Sequence, residues 1–523
     1  MRLRGLLMLE NTIGKLFDKA ITHFPERIAV KDNRRSISYA NLGIEVNRLA
    51  NAFIKLGIRH GDRIAIWMEN CIEYVVTHFA IVKIGAVRVP LNTMLNEVEV
   101  AYRLDDAEVS LIICDEQKYQ LMNGVLEKIQ IQPSIISTSN HSELSYQKLI
   151  ENTEDRLAEL DVKPHDLAAL MYTGGTTGRS KGVMHTHKTI LSIEYSQILE
   201  YRMNLGEVFL HCTPLPHASG FLILSGLLRG GTHILHTGFN IEHLSETIEK
   251  EKVTFFLLVP TMIYKLLDSP RLEKYDFSSL NTLFYGAAPM SPDRIRQALD
   301  VWGPVLMQGY SQMEVANQTS ILSKEDHIAG SLHDEKRLSS IGRSIIMSEV
   351  KIVDDNGKEV ASGKVGELIT RGPHMMKGYW KLEEETNKVI RDGWLYTGDM
   401  AYRDESDYLY LVDRKKDMVI TGGFNVYTII VEKVLLGHPH VKHAAVIGVP
   451  HKTWGEAIKA FVVTDDPNID EKELFEFCKK RLSKYEVPKS ITFVSTLPLT
   501  PYGKLDKKAL REPFWGKSQR QVN

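Results

Sequence analysis

Cysteine is scarce in this chain. Cys71, Cys114, Cys212 and Cys478 are the four among 523 residues, far apart and with no C-x-x-C pair. That excludes a disulfide scaffold, speaks against a thiolate zinc site, and fits a reducing cytoplasm. Long apolar runs are missing too. "FLILSGLL" and "FFLLVP" fall well short of the roughly 18 residues a membrane span requires, so no transmembrane segment is expected. Neither sign of charge dominates: 64 Lys and Arg against 66 Asp and Glu leave a net charge of −2, with no basic field to attract nucleic acid. No targeting segment stands out. "MRLRGLLMLEN" begins basic, but its apolar run, Gly5 to Leu9, is too short for a signal sequence. Met8 is an alternative start, because the first helical pattern begins just after it. There is no long internal repeat and no low-complexity segment; the polar tail "GKSQRQVN" is expected to fray.

What is present is an ordinary globular composition, 43% apolar and 25% charged, in a chain long enough for two large domains or about three average ones. Helical and strand patterns alternate. Ile13, Leu16, Phe17, Ala20, Ile21 and Phe24 recur at helical spacing, and "YANLGIEVNRLANAFIKLGI" and "IEYVVTHFAIVKIG" read as helices. Between and after them "RIAIWM", "AVRVPLN", "VSLIIC", "THILHT", "VTFFLLV" and "LNTLFYG" read as short buried strands. This rhythm predicts an α/β fold of parallel sheets covered by helices. After "DYLYLVD" comes the charge run "RKKD", Arg414 to Asp417, which by composition alone is most simply a solvated turn. The 110 residues from Arg414 onward carry their own helices and strands, a domain-sized piece. We therefore expect a large multi-sheet N-terminal domain over 1–413 and a smaller, mobile α+β domain over 414–523, with Arg414–Lys416 as linker.

One stretch asks for chemistry: "YTGGTTGRSKGVMHTH", Tyr172 to His187. It follows "LAALMY", a buried strand by pattern. Glycines let backbone N–H groups converge on an anion, Thr173, Thr176 and Thr177 add hydroxyl donors, and Lys181 adds a point charge suited to phosphate. The order differs from the P-loop pattern G-x-x-x-x-G-K-[ST], since Gly182 follows Lys181. By itself such a cluster is also compatible with a plain surface loop.

The string resembles the signature of the adenylate-forming enzymes: acyl- and aryl-CoA synthetases, luciferases and adenylation domains. The resemblance runs in family order from "SYANL" near residue 40 to "PYGKLDKKAL" near 510. It implies that Thr173, Gly174, Gly175, Thr176, Thr177, Gly178 and Lys181 hold the β- and γ-phosphates of ATP. "PLPHASG" places His217 at the border of the acyl pocket, although a histidine between prolines is more often structural. "FYGAAPM" resembles the turn lying along adenine and acyl group, with Gly286, Ala287 and Ala288. "MQGYSQME" matches the segment usually written Y-G-x-T-E: Gln308, Gly309 and Tyr310 would meet the nucleotide, Tyr310 stacking on adenine. Glu314 would hold Mg²⁺ beside Thr173. "DGWLYTGD" resembles the aspartate motif, with Asp399 on the ribose hydroxyls, Arg414 on the same ribose and Lys416 as hinge. "TGGFNVY" resembles the loop of the thioester-forming state, Gly422 and Gly423 letting pantetheine pass. Lys504 in "PYGKLDKK" aligns with the lysine that reaches the α-phosphate and the acyl carboxylate.

The chain departs from the family at several points. Ser311 replaces a glycine, and Met313 a threonine whose hydroxyl normally contacts phosphate. Thr428 and Ile430 replace a proline and a glutamate, which would loosen the C-terminal lobe or alter its contacts, and Asp506 stands where a basic residue is frequent. The resemblance implies ATP, Mg²⁺ and CoA as co-substrates and cofactor, with Lys504, Glu314 and Thr173 as catalytic groups. The expected reaction joins a carboxylic acid, medium- to long-chain by the look of "YTGGTTG" and "GAAP", to AMP and then to CoA. An aryl-CoA ligase shares much of this. An acyl-AMP ligase serving a carrier-protein thiol is disfavoured by the lack of an insertion between Asp413 and Val426. A binding protein that lost turnover draws support only from Met313 and Ile430. The oligomeric state is left open, a homodimer included.

Overall fold

The computed structural model describes residues 11–139, 144–173, 179–316, 318–499 and 505–515. Gly174, Gly175, Thr176, Thr177, Gly178 and Lys504 lie outside the described residues, as does the tail from 516. The chain divides into two compact units. One takes in residues up to 173, 180–350 and 370–395; the other contains 351–369 and the chain from 396 onward.

The first unit contains two large sheets. One has nine strands, in the spatial order Arg343–Ser344, Ser320–Leu322, Leu306–Tyr310, Thr282–Gly286, Phe255–Leu258, Val208–His211, Thr232–Leu235, Ile28–Lys31 and Ser36–Ser38. Its six inner strands, Leu306–Tyr310 to Ile28–Lys31, run parallel, and antiparallel strands close both edges. The other has seven, in the order Gly378–Tyr379, Gly182–Thr186, Leu167–Tyr172, Val87–Pro90, Arg63–Trp67, Val109–Cys114 and Ser134–Ser137. Its first two strands are antiparallel additions to a parallel block. The near-continuous apolar runs in the sequence are these inner strands, buried on both faces.

Helices Ile13–His23, Tyr39–Lys55, Ile72–Lys83 and Leu222–Leu228 supply Phe17, Phe53, Phe79 and Leu227 to one core. Ile64, Leu111 and Met171 of the seven-stranded sheet and Phe209 and Phe255 of the nine-stranded sheet join the same core. Local signals set the helix starts: Thr12, Ser38 and Asn96 each accept a backbone N–H from inside the first turn. At the core's centre Phe17 and Phe79 stack with ring centroids 4.1 Å apart.

The second unit ends in a five-stranded sheet in which Val441–His451 and Gly455–Thr464 form a long antiparallel pair; the free edge of Gly455–Thr464 takes Ser490–Phe493 in parallel and, further along, Val419–Thr421, which pairs in turn with Phe424–Val426. Helices Thr428–Leu436, Glu471–Lys479 and Lys507–Trp515 accompany it. This is the α+β make-up expected for the C-terminal part. No helix among the described residues is long and apolar enough to cross a membrane.

Candidate active site

The strands that flank the glycine- and threonine-rich segment pair with each other. Leu167–Tyr172 pairs antiparallel with Gly182–Thr186, Tyr172 opposite Gly182. The base is tied by the Thr173 N–H to the Lys181 carbonyl (3.0 Å) and the Lys181 N–H to the Thr173 hydroxyl (3.2 Å). Ser180 closes it further, donating to the Thr173 carbonyl at 2.5 Å. Thr173 and Lys181 are thereby fixed side by side. The Lys181 ammonium lies 2.6 Å from a Glu385 oxygen and 4.9 Å from the centre of the Tyr379 ring. The Tyr379 hydroxyl in turn donates to Glu314 at 2.8 Å.

Glu314 is held from three directions. It sits in the short 3₁₀ turn Met313–Val315. The Met376 N–H bonds its carbonyl at 2.8 Å, His185 Nε2 bonds the preceding Met313 carbonyl at 2.8 Å, and Tyr379 bonds its carboxylate. Burial holds His185 down at about 4, so at neutral pH the ring is uncharged and donates from Nε2. Burial, and next the Glu314 charge, push the Tyr379 phenol up, so it stays a donor. Met313 directs its side chain into apolar packing against Val183, Val315, Met376, Tyr379 and Leu395. The departure at this position thus serves packing, which a threonine hydroxyl could not do.

Gly286 and Gly309 face each other at the carboxyl ends of neighbouring parallel strands, where ligands bind in open α/β sheets. Neither leaves room for a side chain. A Cβ on Gly286 would stand 2.6 Å from the Gly309 carbonyl oxygen, and one on Gly309 would stand 2.3 Å from the Phe284 ring. Ala287 follows with φ +67°, a left-handed conformation that non-glycine residues seldom adopt outside constrained sites, and Ala287 and Ala288 are exposed. Gln308 is buried and accepts from the Tyr285 hydroxyl at 3.2 Å; Tyr310, the last residue of its strand, is also buried. Behind Gly309, Phe284 packs on Tyr201 (4.8 Å), Tyr201 on Phe255 (5.8 Å) and Phe255 on Phe209 (5.1 Å). His217 is half-buried and bonded by Asn92 at 2.8 Å. The Asn92 oxygen accepts the Met94 N–H, which leaves its amide N–H to face His217 Nε2.

In the second unit Asp399 and Arg414 are opposite one another on paired strands, and Arg414 Nε lies 3.1 Å from the Asp399 carboxylate. Asp399 is buried and Arg414 exposed, so the arginine caps the acid. The "RKKD" run is a turn, but its charges are engaged. Lys415 pairs with Asp355 (2.9 Å) and Glu367 (3.3 Å), and Asp417 with Arg511. Lys416 is drawn down to about 8 by burial and then by neighbouring Arg414. Gly422 and Gly423, with φ +57° and +85°, form the two-residue turn between Thr421 and Phe424, the both-positive geometry that glycine supplies most readily. Two ring pairs flank it: exposed Phe424 on exposed Tyr485 at 4.7 Å, and half-buried His451 on exposed Trp454 at 4.2 Å, with the Trp454 carbonyl accepting the Gly422 N–H.

Thr428, where the family often has proline, is not a weak point. Its N–H and its hydroxyl (2.8 Å) both bond the Asp413 carboxylate, and Lys507 bonds that hydroxyl at 2.7 Å while pairing with Glu432 at 2.7 Å. Burial raises the Asp413 and Glu432 carboxyls, and the Lys507 ammonium pulls both the other way. Proline has no N–H to offer here, so the departure adds contacts rather than loosening the lobe.

Tyr379, Glu385 and Asn92 escape motif reading. Tyr379 and Glu385 lie 65 and 204 residues from the groups they touch, and only the sheet pairing of Gly378–Tyr379 with Gly182–Thr186 brings them there.

Two family models match most of the chain. Residues 17–380 fit the AMP-binding enzyme family and residues 430–504 the AMP-binding enzyme C-terminal domain. The chain belongs to the AMP-binding enzyme family. Among relatives, it is 35% identical over 498 residues to a medium/long-chain-fatty-acid–CoA ligase of Mycobacterium tuberculosis, covering 92% of this chain and 86% of that one. It is 37% identical over 497 residues to a feruloyl-CoA synthase of Amycolatopsis sp, covering 94% and 96%. In structure it is similar to an amide bond synthetase from Marinactinospora thermotolerans, with a TM-score of 0.87 at 32% identity over 96% of this chain and all of that one. It is an adenylate-forming acid–thiol ligase of the acyl- and aryl-CoA synthetase type.

Proposed function

We propose that this enzyme activates a medium- to long-chain fatty acid with ATP to the acyl-adenylate and transfers the acyl group to CoA, releasing AMP and pyrophosphate. The observation that carries the reading is the Lys181–Tyr379–Glu314 arrangement: a phosphate-seeking ammonium over the Tyr379 ring and a carboxylate held by that ring's hydroxyl, with Lys181 tied to Thr173. The acid must approach a polyanion, so cationic groups that offset like-charge repulsion supply the rate. Lys181 and the glycine- and threonine-rich loop hold the departing phosphates, Glu314 with Thr173 takes Mg²⁺, and Tyr310, Gly286, Ala287, Ala288, Gln308 and Gly309 receive adenine and the acyl carbonyl. Asp399 and Arg414 take the ribose.

No cluster of three or more metal-ligating side chains occurs among the described residues. That suits Mg²⁺, which binds through one or two carboxylates and completes its shell with water and phosphate oxygens. When bound it neutralises phosphate charge. Lys504 meets the α-phosphate during adenylation, and rotation about Lys416 then brings in Gly422 and Gly423 for the thiol. The exposed rings of Phe424, Tyr485 and Trp454 offer the CoA nucleotide a face to stack on. Four unpaired cysteine thiols agree with a cytoplasmic setting.

A second reading is an aryl acid. The 37% identity to a feruloyl-CoA synthase supports it. A panel of acids assayed for pyrophosphate release and CoA-dependent AMP formation tests both. Octanoate to palmitate should outrun acetate and benzoate. A preference for benzoate- or cinnamate-type acids moves the assignment to the aryl ligases. Turnover with amines but not CoA refutes the thioester step, and no pyrophosphate with any acid refutes the reading.

A further inference from the structure

Lys181 has a fixed root and a movable tip. Its backbone is tied on both sides to Thr173, and Gly182 begins the paired strand, so only the four-carbon stem can swing. The tip is already occupied: Glu385 Oε2 holds the ammonium at 2.6 Å. The other Glu385 oxygen is bonded by Lys388, one helical turn on in Glu383–Val389, at 2.5 Å. One carboxylate thus carries two cations, one on each oxygen.

We propose that Glu385 is a positioning residue for Lys181, holding the ammonium while no nucleotide is bound and yielding it to the triphosphate. This rests on the reading of Lys181 given above. A polyphosphate carries several negative charges against one on Glu385, and an ammonium has three donors to redirect. The exchange strands no charge, because Glu385 keeps Lys388 when Lys181 leaves. The Tyr379 ring beneath the ammonium lies within cation–π range and gives the stem a surface to pivot on. Both side chains of the pair are about one-third exposed, at 32% and 34%, so the hold is weak enough to be broken in every cycle.

Two measurements on the full-length protein test the proposal. Lys181 acetylation by an amine-reactive ester, followed by peptide mass spectrometry without nucleotide, reads the ion pair directly: Glu385→Gln should label faster than wild type. Calorimetric titration with MgATP reads the competition. Glu385→Gln should bind about two- to fivefold more tightly, the range expected for releasing a part-exposed ion pair. Lys388→Ala, leaving Glu385 with Lys181 alone, should bind more weakly. In a Lys181→Ala background Glu385→Gln should change nothing. Equal or weaker ATP binding by Glu385→Gln, or a gain that persists without Lys181, overturns the proposal. A wild-type chain that binds no ATP overturns the site reading instead, and the labelling result then still reports whether the pair exists.

Discussion

At the scale of single residues the sharpest claim concerns Lys504. If its ammonium meets the α-phosphate only during adenylation, Lys504→Ala should lower acyl-AMP formation by about 10²–10³, the usual loss for one well-aimed electrostatic group. Thioester formation from supplied acyl-AMP and CoA should survive. Following AMP and thioester separately in the folded variant decides it, and equal failure of both half-reactions would remove Lys504 from that role. A buried acid gives a pH prediction. Glu194 is almost fully buried, accepts the Ser225 N–H at 2.8 Å, and is pushed up to about 8 by desolvation. Between about 4.5 and 8 the folded chain keeps a proton that the unfolded chain has lost. The stability it contributes is therefore complete below 4.5 and is lost as pH rises through 8. Glu194→Gln keeps an acceptor for Ser225 and cannot titrate. Unfolding free energies from urea titrations should fall less between pH 5 and pH 8 in the variant, by on the order of 1 kcal/mol for each pH unit crossed.

At the scale of elements, local pattern carried far. Leu167–Tyr172 and Val109–Cys114 are the strands their apolar runs announce, and Tyr39–Lys55 and Ile72–Lys83 the helices their spacing announces, because burial dictates those periods. Pairing did not show. "GVMHT" has no strong alternation, and its place as the antiparallel partner of Leu167–Tyr172 depends on register with a neighbour. Of the two effects expected at Thr428, altered contacts rather than a looser lobe, the choice did not show for a related reason: a family comparison sees a lost proline but not a buried Asp413 bonded by the Thr428 N–H and hydroxyl. Thr428→Pro should therefore destabilise the C-terminal part by about 1–3 kcal/mol, the cost of unsatisfied buried acceptors, even though proline suits the first turn of a helix. Urea unfolding followed by Trp454 fluorescence would measure it, and an unchanged midpoint would show that the Asp413 bonds contribute little.

At the scale of the whole molecule, the proposed reading gives the two half-reactions two arrangements of one chain, with Lys504 assigned to the first and Gly422 and Gly423 to the second. If Lys416 is the pivot, Lys416→Pro, which fixes φ near −65° and removes an N–H, should impair one half-reaction far more than the other. Small and equal effects on both would place the pivot elsewhere. Substrate choice was the least legible property. Relatives that share these motifs carry the names of both fatty-acid and feruloyl ligases, so motif strings alone do not encode it.

The Asp413 cluster bears on how such chains can be recombined. Asp413 stands just before Arg414, where a cut between N- and C-terminal portions looks natural, yet its carboxylate belongs with Thr428 and, through the threonine hydroxyl, with Lys507 and Glu432. A hybrid spliced at that junction with a donor carrying proline at 428 would inherit a buried acid stripped of both Thr428 donors and facing a lysine already committed to Glu432. A crossover upstream of Asp413, carrying the four residues as one block, would keep the set intact.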